Sequence, residues 1–566
     1  MNGAKLSEPG ATVPQQRKQG NSRVILLPDT AFGLLMGTSR AREADMTRRS
    51  FLGASGALFS NGAPSKGTQE RKPNVLLIMS DQHRAGLTRR SGYALDTMPA
   101  LDSLADRGLS FDLAYTTAPL CVPARVSMLT GRWPHAHRVR ENAGAKHAFF
   151  EQDLFDICKA LGYRRGLVGK NHSHLGPDKM DYFRPYSHNG ALKPTPVTPD
   201  EAKFDAWLTQ LNHGVGKQPT PFPVELQLPY RIVSHALEFL KETGDQPFLL
   251  WVSFPEPHNP YQVPKPYFDM FPPESVPSRC CGPEVLQKKS FKWRWLRGLQ
   301  EATYPGYDDY WQRTKSNYLG MLRLIDDQLA RLFRYMDERG LWENTIVVYV
   351  SDHGDYLTDY GLMRKGVGLP EALVRIPMVW AGYGIQARAA DRLFVSLADV
   401  MPTLCEALGA EIPRGTQGRS LWPLLRGQPF PREEFRSVYA EVGFGGLHYD
   451  ERDNLPYSIA QGGPTGAPRS FDELNPCTQS GYTKMVRMGS WKLGFDMLGN
   501  GELYNLEEDP YELDNRYGRP EVAGIQMQLL EELLAWTIRT QDTLPTARYA
   551  VKWASRGWYA PYRRRP

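Results

Sequence analysis

Residues 120–132 read LCVPARVSMLTGR. The thiol of Cys121 is followed by proline two positions on and by Arg125 four positions on, and the segment reads as a short helix closed by Gly131. A helix mouth concentrates unpaired backbone N–H groups and the positive end of the helix dipole, so this position favours an oxyanion. Other polar residues gather just after apolar runs. The run at 75–79 leads to Ser80-Asp81-Gln82-His83, and the run at 345–351 leads to Asp352-His353-Gly354-Asp355. LLWVSF at 249–254 leads through Pro-Glu-Pro to His258, and GLVG leads to Lys170-Asn171-His172-Ser173-His174. Singly, each has an ordinary explanation: an aspartate after a strand caps a helix or forms a turn, and a lysine or a loop histidine is solvated. Jointly they point to one site. Asp81, Gln82, Asp352 and His353 offer two carboxylates, an amide oxygen and an imidazole, a set suited to one divalent cation. Calcium prefers oxygen ligands throughout, and the imidazole leaves room for manganese or magnesium.

The elements that must position these groups follow from the apolar pattern. Runs such as NVLLIM and TIVVYV read as strands buried on both faces. Segments 98–108, 230–244 and 317–340 carry apolar residues at helical spacing, each with a glycine stop. Strands alternating with helices predict an α/β fold, a large, mostly parallel sheet sandwiched by helices. Ligands in such sheets bind beyond the carboxyl ends of the strands, where the polar residues fall. Beyond about residue 430 the pattern changes to a Gly/Pro-rich loop at 442–480, then KMVRMG, WKLGF and ELYNL, then a helix near 520–541. This predicts a smaller C-terminal antiparallel sheet with a helix. The expected organisation is an N-terminal extension (1–72), a catalytic domain (73–435) and a smaller subdomain (436–566) with the insertion 442–480. Stretches 177–229 and 255–316 read as surface insertions.

The 566 residues carry a net charge of +6, which permits an anionic substrate. No nucleic-acid motif or basic stripe is present, and no apolar run reaches the ~20 residues of a membrane span. The six cysteines form no CxxC pair, and adjacency of Cys280 and Cys281 is poor geometry for a mutual disulfide. From Met46, MTRRSFLGASGALFS resembles a twin-arginine export signal, so the expected location is periplasmic or extracellular; a basic, disordered N-terminus of a cytoplasmic protein is the alternative.

LCVPARVSMLTGR resembles the C-x-P-x-R…T-G-R signature of the type I sulfatases, which share an alkaline phosphatase-like fold. The resemblance runs from residue 73 to about 540. GYRRGLVGKNHSHLG resembles the second signature, with Lys170 and His172 in its K-x-H positions; SFPEPHNPY resembles the segment of a catalytic histidine, here His258; SDHGD resembles the second metal segment; and GLMRKGVGLPEALVRIPMV resembles the segment of a catalytic lysine, here Lys365. His174 precedes Leu-Gly and competes with His172, which its spacing from the lysine favours. The resemblance implies that a formylglycine-generating enzyme converts Cys121 to Cα-formylglycine, whose hydrated aldehyde is the nucleophile. It implies one divalent cation, calcium first with manganese or magnesium as alternatives, held by Asp81, Gln82, residue 121, Asp352 and His353. Arg125, Lys170 and Lys365 would offset sulfate charge and steady the nucleophile. Asp352 would take its proton, His258 with Lys365 would protonate the leaving alcohol, and His172 would release sulfate.

The implied substrate is a sulfate monoester, on a small molecule or a saccharide. The carbohydrate reading draws on the export signal, the insertion and aromatics such as Trp133, Trp293, Trp295, Tyr449 and Tyr457, for which ordinary packing is the other explanation. There are departures from the family pattern. Many sulfatases carry a second aspartate where Gln82 stands, and Arg165 takes a place usual for small hydroxyl residues. Related phosphonate monoester and phosphodiester hydrolases share the Gln/His pair, which makes that activity the alternative.

Overall fold

The computed structural model describes residues 72–389, 392–446, 448–457 and 472–541. The twin-arginine-like segment lies outside them. Ten strands precede residue 400: β1 (Asn74–Asp81), β2 (Gly108–Ser110), β3 (Ala114–Tyr115), β4 (Arg164–Lys170), β5 (Tyr182–Ser187), β6 (Gly190–Ala191), β7 (Phe248–Pro257), β8 (Thr345–Ser351), β9 (Met378–Gly382) and β10 (Val395–Ser396). Eight of them form one sheet in the order β2-β9-β8-β1-β7-β4-β5-β6. The central strands β8, β1, β7, β4 and β5 run parallel, and β2, β9 and β6 pair antiparallel at the edges. β3 and β10 make a separate two-stranded pair.

β1 shows why the unbroken apolar runs become central strands. Alternate side chains must point to opposite faces. Leu76 and Ile78 enter one core with helices Leu228–Thr243 and Trp311–Glu338. Val75, Leu77 and Met79 enter the other with helices Cys121–Thr130, Leu154–Ala160 and Val400–Ala407. A strand polar on either face would leave one of these layers without cover. Each such side chain, fully buried, contributes roughly 1.5–3 kcal/mol.

The second sheet consists of β11 (Ser437–Phe444), β12 (Gly481–Met488), β13 (Trp491–Asp496) and β14 (Gly501–Asn505), antiparallel in sequence order, with helix Ala523–Thr540 against it. It grips the segment that follows the Cys121 helix. Trp133, with no exposure, packs with Tyr439, Leu493 and Trp536 and donates its indole N–H to the Tyr439 carbonyl (3.1 Å).

Three sequence expectations need correction. The 442–480 loop begins inside β11, a strand hidden from the apolar pattern because it carries Glu441 and Gly443. The 255–316 stretch is not a surface insertion, because Tyr261, Val263, Trp293, Trp295 and Leu296 are all buried in the main core. Trp133, Trp293 and Trp295 are therefore packing residues. Tyr457 is 41% exposed and Tyr449 half-buried. Among the described residues no helix is long and apolar enough to cross a membrane.

Candidate active site

Four parallel strands and one helix deliver the polar residues to the carboxyl edge of the sheet. Asp81 ends β1 at a register shift against β7. Gln82 then takes a left-handed backbone (φ 67°), a conformation that costs a side-chain-bearing residue energy and turns the chain back over the strand end. Its backbone N–H donates to Asp352 Oδ1 (2.9 Å), which binds the turn after β1 to the turn after β8. Lys170 ends β4. The neighbouring Gly169 has φ 107°, and a Cβ there would lie 1.8 Å from the Ser253 carbonyl oxygen, so only glycine lets β4 close on β7 at this level.

Cys121 opens a ten-residue helix in which every residue is buried, and the helix ends at left-handed Gly131 (φ 64°). Its Sγ lies 3.2 Å from His353 Nε2 and 3.7 Å from Asp81 Oδ1. Burial and Asp81 both raise the thiol pKa, but the charges of Lys170, Lys365 and His353 outweigh them and lower it to about 6. His353 Nδ1 donates to the Gly354 carbonyl (2.9 Å), so Nε2 faces Cys121; against burial, Asp352 and Cys121 raise the pKa of the ring. Arg125 is fully buried one helical turn on. It donates from Nε to Asp352 Oδ2 (2.9 Å) and from Nη2 to Asp81 Oδ2 (3.0 Å). Its Nη1 donates to the Lys170 carbonyl (2.8 Å) and Ser253 Oγ (2.9 Å). The guanidinium thus aligns the two carboxylates from behind and turns their Oδ1 atoms towards Cys121 and His353.

Donor atoms of Asp81, Cys121, Asp352 and His353 all lie within 4.8 Å of one another. Burial and the nearby Asp81 charge raise the Asp352 pKa. Asp81 is held well below the usual carboxylate range, because the charges of Lys170 and Arg125 overcome its burial. Two carboxylates repelling each other beside an imidazole nitrogen and a thiol are the donor set a divalent cation stabilises, so the residues present fit a metal. The predicted amide ligand is arranged differently. Gln82 Oε1 accepts from Lys365 Nζ (2.8 Å), and its Nε2 donates to Asp355 Oδ2 (2.6 Å).

The remaining predicted residues ring this cluster. Lys170 Nζ donates to Asp81 Oδ2 and to His188 Nε2 (2.8 Å). Lys365 lies 3.6 Å from Glu473; against its burial, Cys121, Glu473, Asp81 and Asp352 push its pKa up, so it stays charged. His258 Nδ1 faces the Asn259 carbonyl (2.8 Å), which leaves the Nε2 lone pair free. Burial, His188 and Lys365 hold this ring neutral. His172 has φ 41° and a buried Nδ1 without a hydrogen-bond partner; burial, Lys170 and Arg125 lower its pKa. His174 turns elsewhere, to Asp153 Oδ2 (3.0 Å) with its ring against Phe150. Two residues were not singled out from the sequence, His188 and Glu473, and Asp355, named in the run after β8, was given no role. Asp355 accepts from Gln82, Tyr261 and Arg364, and Glu473 accepts from Arg364.

The edge of this sheet therefore carries an anion-compatible, metal-competent centre at a helix mouth, the architecture of the alkaline phosphatase-like hydrolases. The sulfatase family profile matches residues 73–410. A multifunctional alkaline phosphatase superfamily protein of Trinickia caryophylli is 29% identical over 527 residues, spanning 83% of this chain and 96% of that protein. An ulvan-active sulfatase of Formosa agariphila is 26% identical over 508 residues, 85% of this chain and 84% of that protein. The crystal structure of a phosphonate monoester hydrolase of Agrobacterium radiobacter superimposes with a TM-score of 0.66 at 23% identity, covering 83% of this chain and 96% of that one. At that identity the likeness speaks for the fold. The chain belongs to the sulfatase family, whose members hydrolyse sulfate esters.

Proposed function

We propose that this protein is an exported sulfatase that hydrolyses a sulfate monoester on a carbohydrate. The observation that carries the reading is the convergence of Asp81, Cys121, Asp352 and His353 donor atoms within 4.8 Å, flanked by charged Lys170 and Lys365. The cation, calcium first with manganese and magnesium as alternatives, would be held by these residues, with Gln82 joining only by exchanging its amide oxygen away from Lys365; when bound it polarises an ester oxygen and offsets its charge. Conversion of Cys121 to Cα-formylglycine by a dedicated maturation enzyme would supply the nucleophilic hydroxyl there.

The chain's own groups do the rest. Arg125 fixes the carboxylates so that no reorganisation is needed during reaction. Lys170 and Lys365 stabilise the sulfate oxygens. The negative charge of a bound ester favours protonation of His258 at Nε2, which can then pass that proton to the leaving alcohol. His172 has an unused ring nitrogen and sits beside Lys170 and Arg125 in charge terms, which suits the base that frees the product. The ulvan-active relative and the twin-arginine-like segment support an exported carbohydrate sulfatase.

A second reading, hydrolysis of phosphonate monoesters or phosphodiesters, is favoured by the Gln82/His353 pair and by the multifunctional relative. Protein coexpressed with a formylglycine-generating enzyme tests both. The peptide containing Cys121 should lose roughly 18 Da, the difference between thiol and aldehyde, and metal analysis should find calcium, manganese or magnesium. Higher kcat/KM on sulfate than on phosphonate esters, with sulfate released from a sulfated saccharide, is the expected result. The reverse preference replaces the first reading with the second, and an unmodified thiol in an active enzyme overturns the formylglycine role.

A further inference from the structure

His188 lies in the turn between β5 and β6, a stretch where the sequence showed only a Pro-rich insertion. The sheet register explains why it reaches the site. β4 and β5 run parallel with Lys170 opposite Tyr186, so a residue two positions further stands just past the strand end, where the lysine ammonium also lies. The turn is firmly set. Ser187 pairs with Gly190 across it, and Ser187 Oγ donates to the Gly190 carbonyl and accepts from the Asn189 N–H, each at 3.2 Å. Gly190 has φ 115°, and a Cβ there would lie 2.1 Å from Asp205, which Arg231 in turn pins (2.6 Å).

Two contacts define what the His188 ring does. Lys170 Nζ can only donate, so His188 Nε2 is the acceptor at 2.8 Å, and the ring proton sits on Nδ1. The flat face of the ring then stacks on His258, with centroids 3.7 Å apart and planes 18° from parallel. His213 stands beside the pair, edge-on to both rings, 6.0 Å from His188 and 6.3 Å from His258. Among the described residues the hydrogen bond of His258 is Nδ1 to the Asn259 carbonyl, which fixes one ring atom but leaves the plane free to rock about that bond. The stack removes this freedom. Burial and the Lys170 charge keep His188 neutral, so it competes poorly for a proton.

We infer that His188 is a positioning residue: anchored by Lys170, it is the wall against which the His258 ring is held, and it thereby sets the direction of the nitrogen that serves the leaving group. This deepens the sulfatase reading and rests on it. A misdirected acid matters in proportion to how much the leaving group needs a proton. An alkyl alcohol needs one, whereas 4-nitrophenolate departs without it.

The test is steady-state kinetics of the matured enzyme on an alkyl sulfate and on 4-nitrophenyl sulfate, with His188→Ala and His188→Phe, metal content and thermal midpoint being measured for each. For His188→Ala, kcat on the alkyl ester should fall about tenfold or more with little change in KM, and on 4-nitrophenyl sulfate by less than about threefold. His188→Phe, which keeps an aromatic face, should recover most of the loss and remains informative if the alanine variant folds poorly. Equal losses on both esters, no loss in His188→Ala, or a phenylalanine variant no better than alanine would each overturn the inference while leaving the sulfatase reading intact. If the wild type prefers phosphonates, the sulfatase reading falls, and the same pair of leaving groups on a methylphosphonate decides His188. Inactivity on both classes overturns both.

Discussion

Where the small sheet meets the main domain, Lys492 Nζ stands between Glu371 Oε1 (3.1 Å) and Glu512 Oε1 (2.9 Å). The other Glu371 oxygen accepts from Tyr115 (2.8 Å) and Arg487 (2.7 Å), and the other Glu512 oxygen accepts from the Glu371 N–H (2.7 Å). All four carboxylate oxygens are occupied and opposite charges alternate. At the sheet edge Asp81 and Asp352 are as deeply buried, and Arg125 holds one oxygen of each; Asp81 Oδ1 faces the Cys121 thiol, and Asp352 Oδ1, which accepts the Gln82 and His353 N–H groups, lies 3.8 Å from His353 Nε2. Burial of charge is common to both places. Alternation of sign marks the first as a structural joint, and electron donors facing one another mark the second as a site for a cation.

The contrast can be broken by experiment. The largest effect belongs to Cys121→Ala, which should lower turnover by about 10⁴-fold or more while metal content and melting temperature stay near wild type. Asp352→Asn should release the bound cation, seen by elemental analysis, and lower kcat/KM by roughly 10²–10³-fold. An Asp352→Asn enzyme that keeps both would show the centre to be another structural joint. Lys492→Met should do the opposite. It strands two buried carboxylates and costs about 3–5 kcal/mol of stability, read as a lowered thermal midpoint, with turnover per folded molecule unchanged. The smallest effect depends on pH. Glu441 in β11 accepts from His135, Tyr439 and Tyr482. Burial raises its pKa, but His135 and these hydrogen bonds lower it from 4.5 to about 2. A depressed carboxylate stabilises the fold above its unfolded pKa, so this contribution, about 3 kcal/mol, is complete above about pH 4.5 and lost as pH falls through about 2. Glu441→Gln should flatten the stability profile in that window. An unchanged acid limb would mean that Glu441 is not ionised in the fold.

The sequence disclosed what local pattern can disclose. β1 and β8 announce themselves because a strand covered on both faces must be apolar throughout, and the polar residues after β1, β4, β7 and β8 fall where parallel sheets bind ligands. β11 escaped notice because its buried glutamate is satisfied largely by His135 and Tyr482, residues far away in the chain, alongside Tyr439 on the same strand. His188 escaped for a related reason. Nothing near it in sequence is functional, and only the β4–β5 register sets it beside Lys170. A search for histidines just past a strand paired with β4 would have found it. Lys170, His172 and His174 show the reverse limit: three candidates within one loop could be ranked by spacing, but it is Asp153 that draws His174 aside.

The Cys121 side chain is 1% exposed, on a helix whose ten residues are all buried and whose far end is gripped through Trp133 by the small sheet. On the proposed function this makes maturation a race. Another protein can reach that thiol only while the chain is still open, because closure of the helix under the second sheet seals it. The yield of active enzyme is then set by the ratio of two rates, oxidation against folding. Slower folding should raise the fraction of competent molecules, and a chain that folds first is locked out for as long as it stays folded.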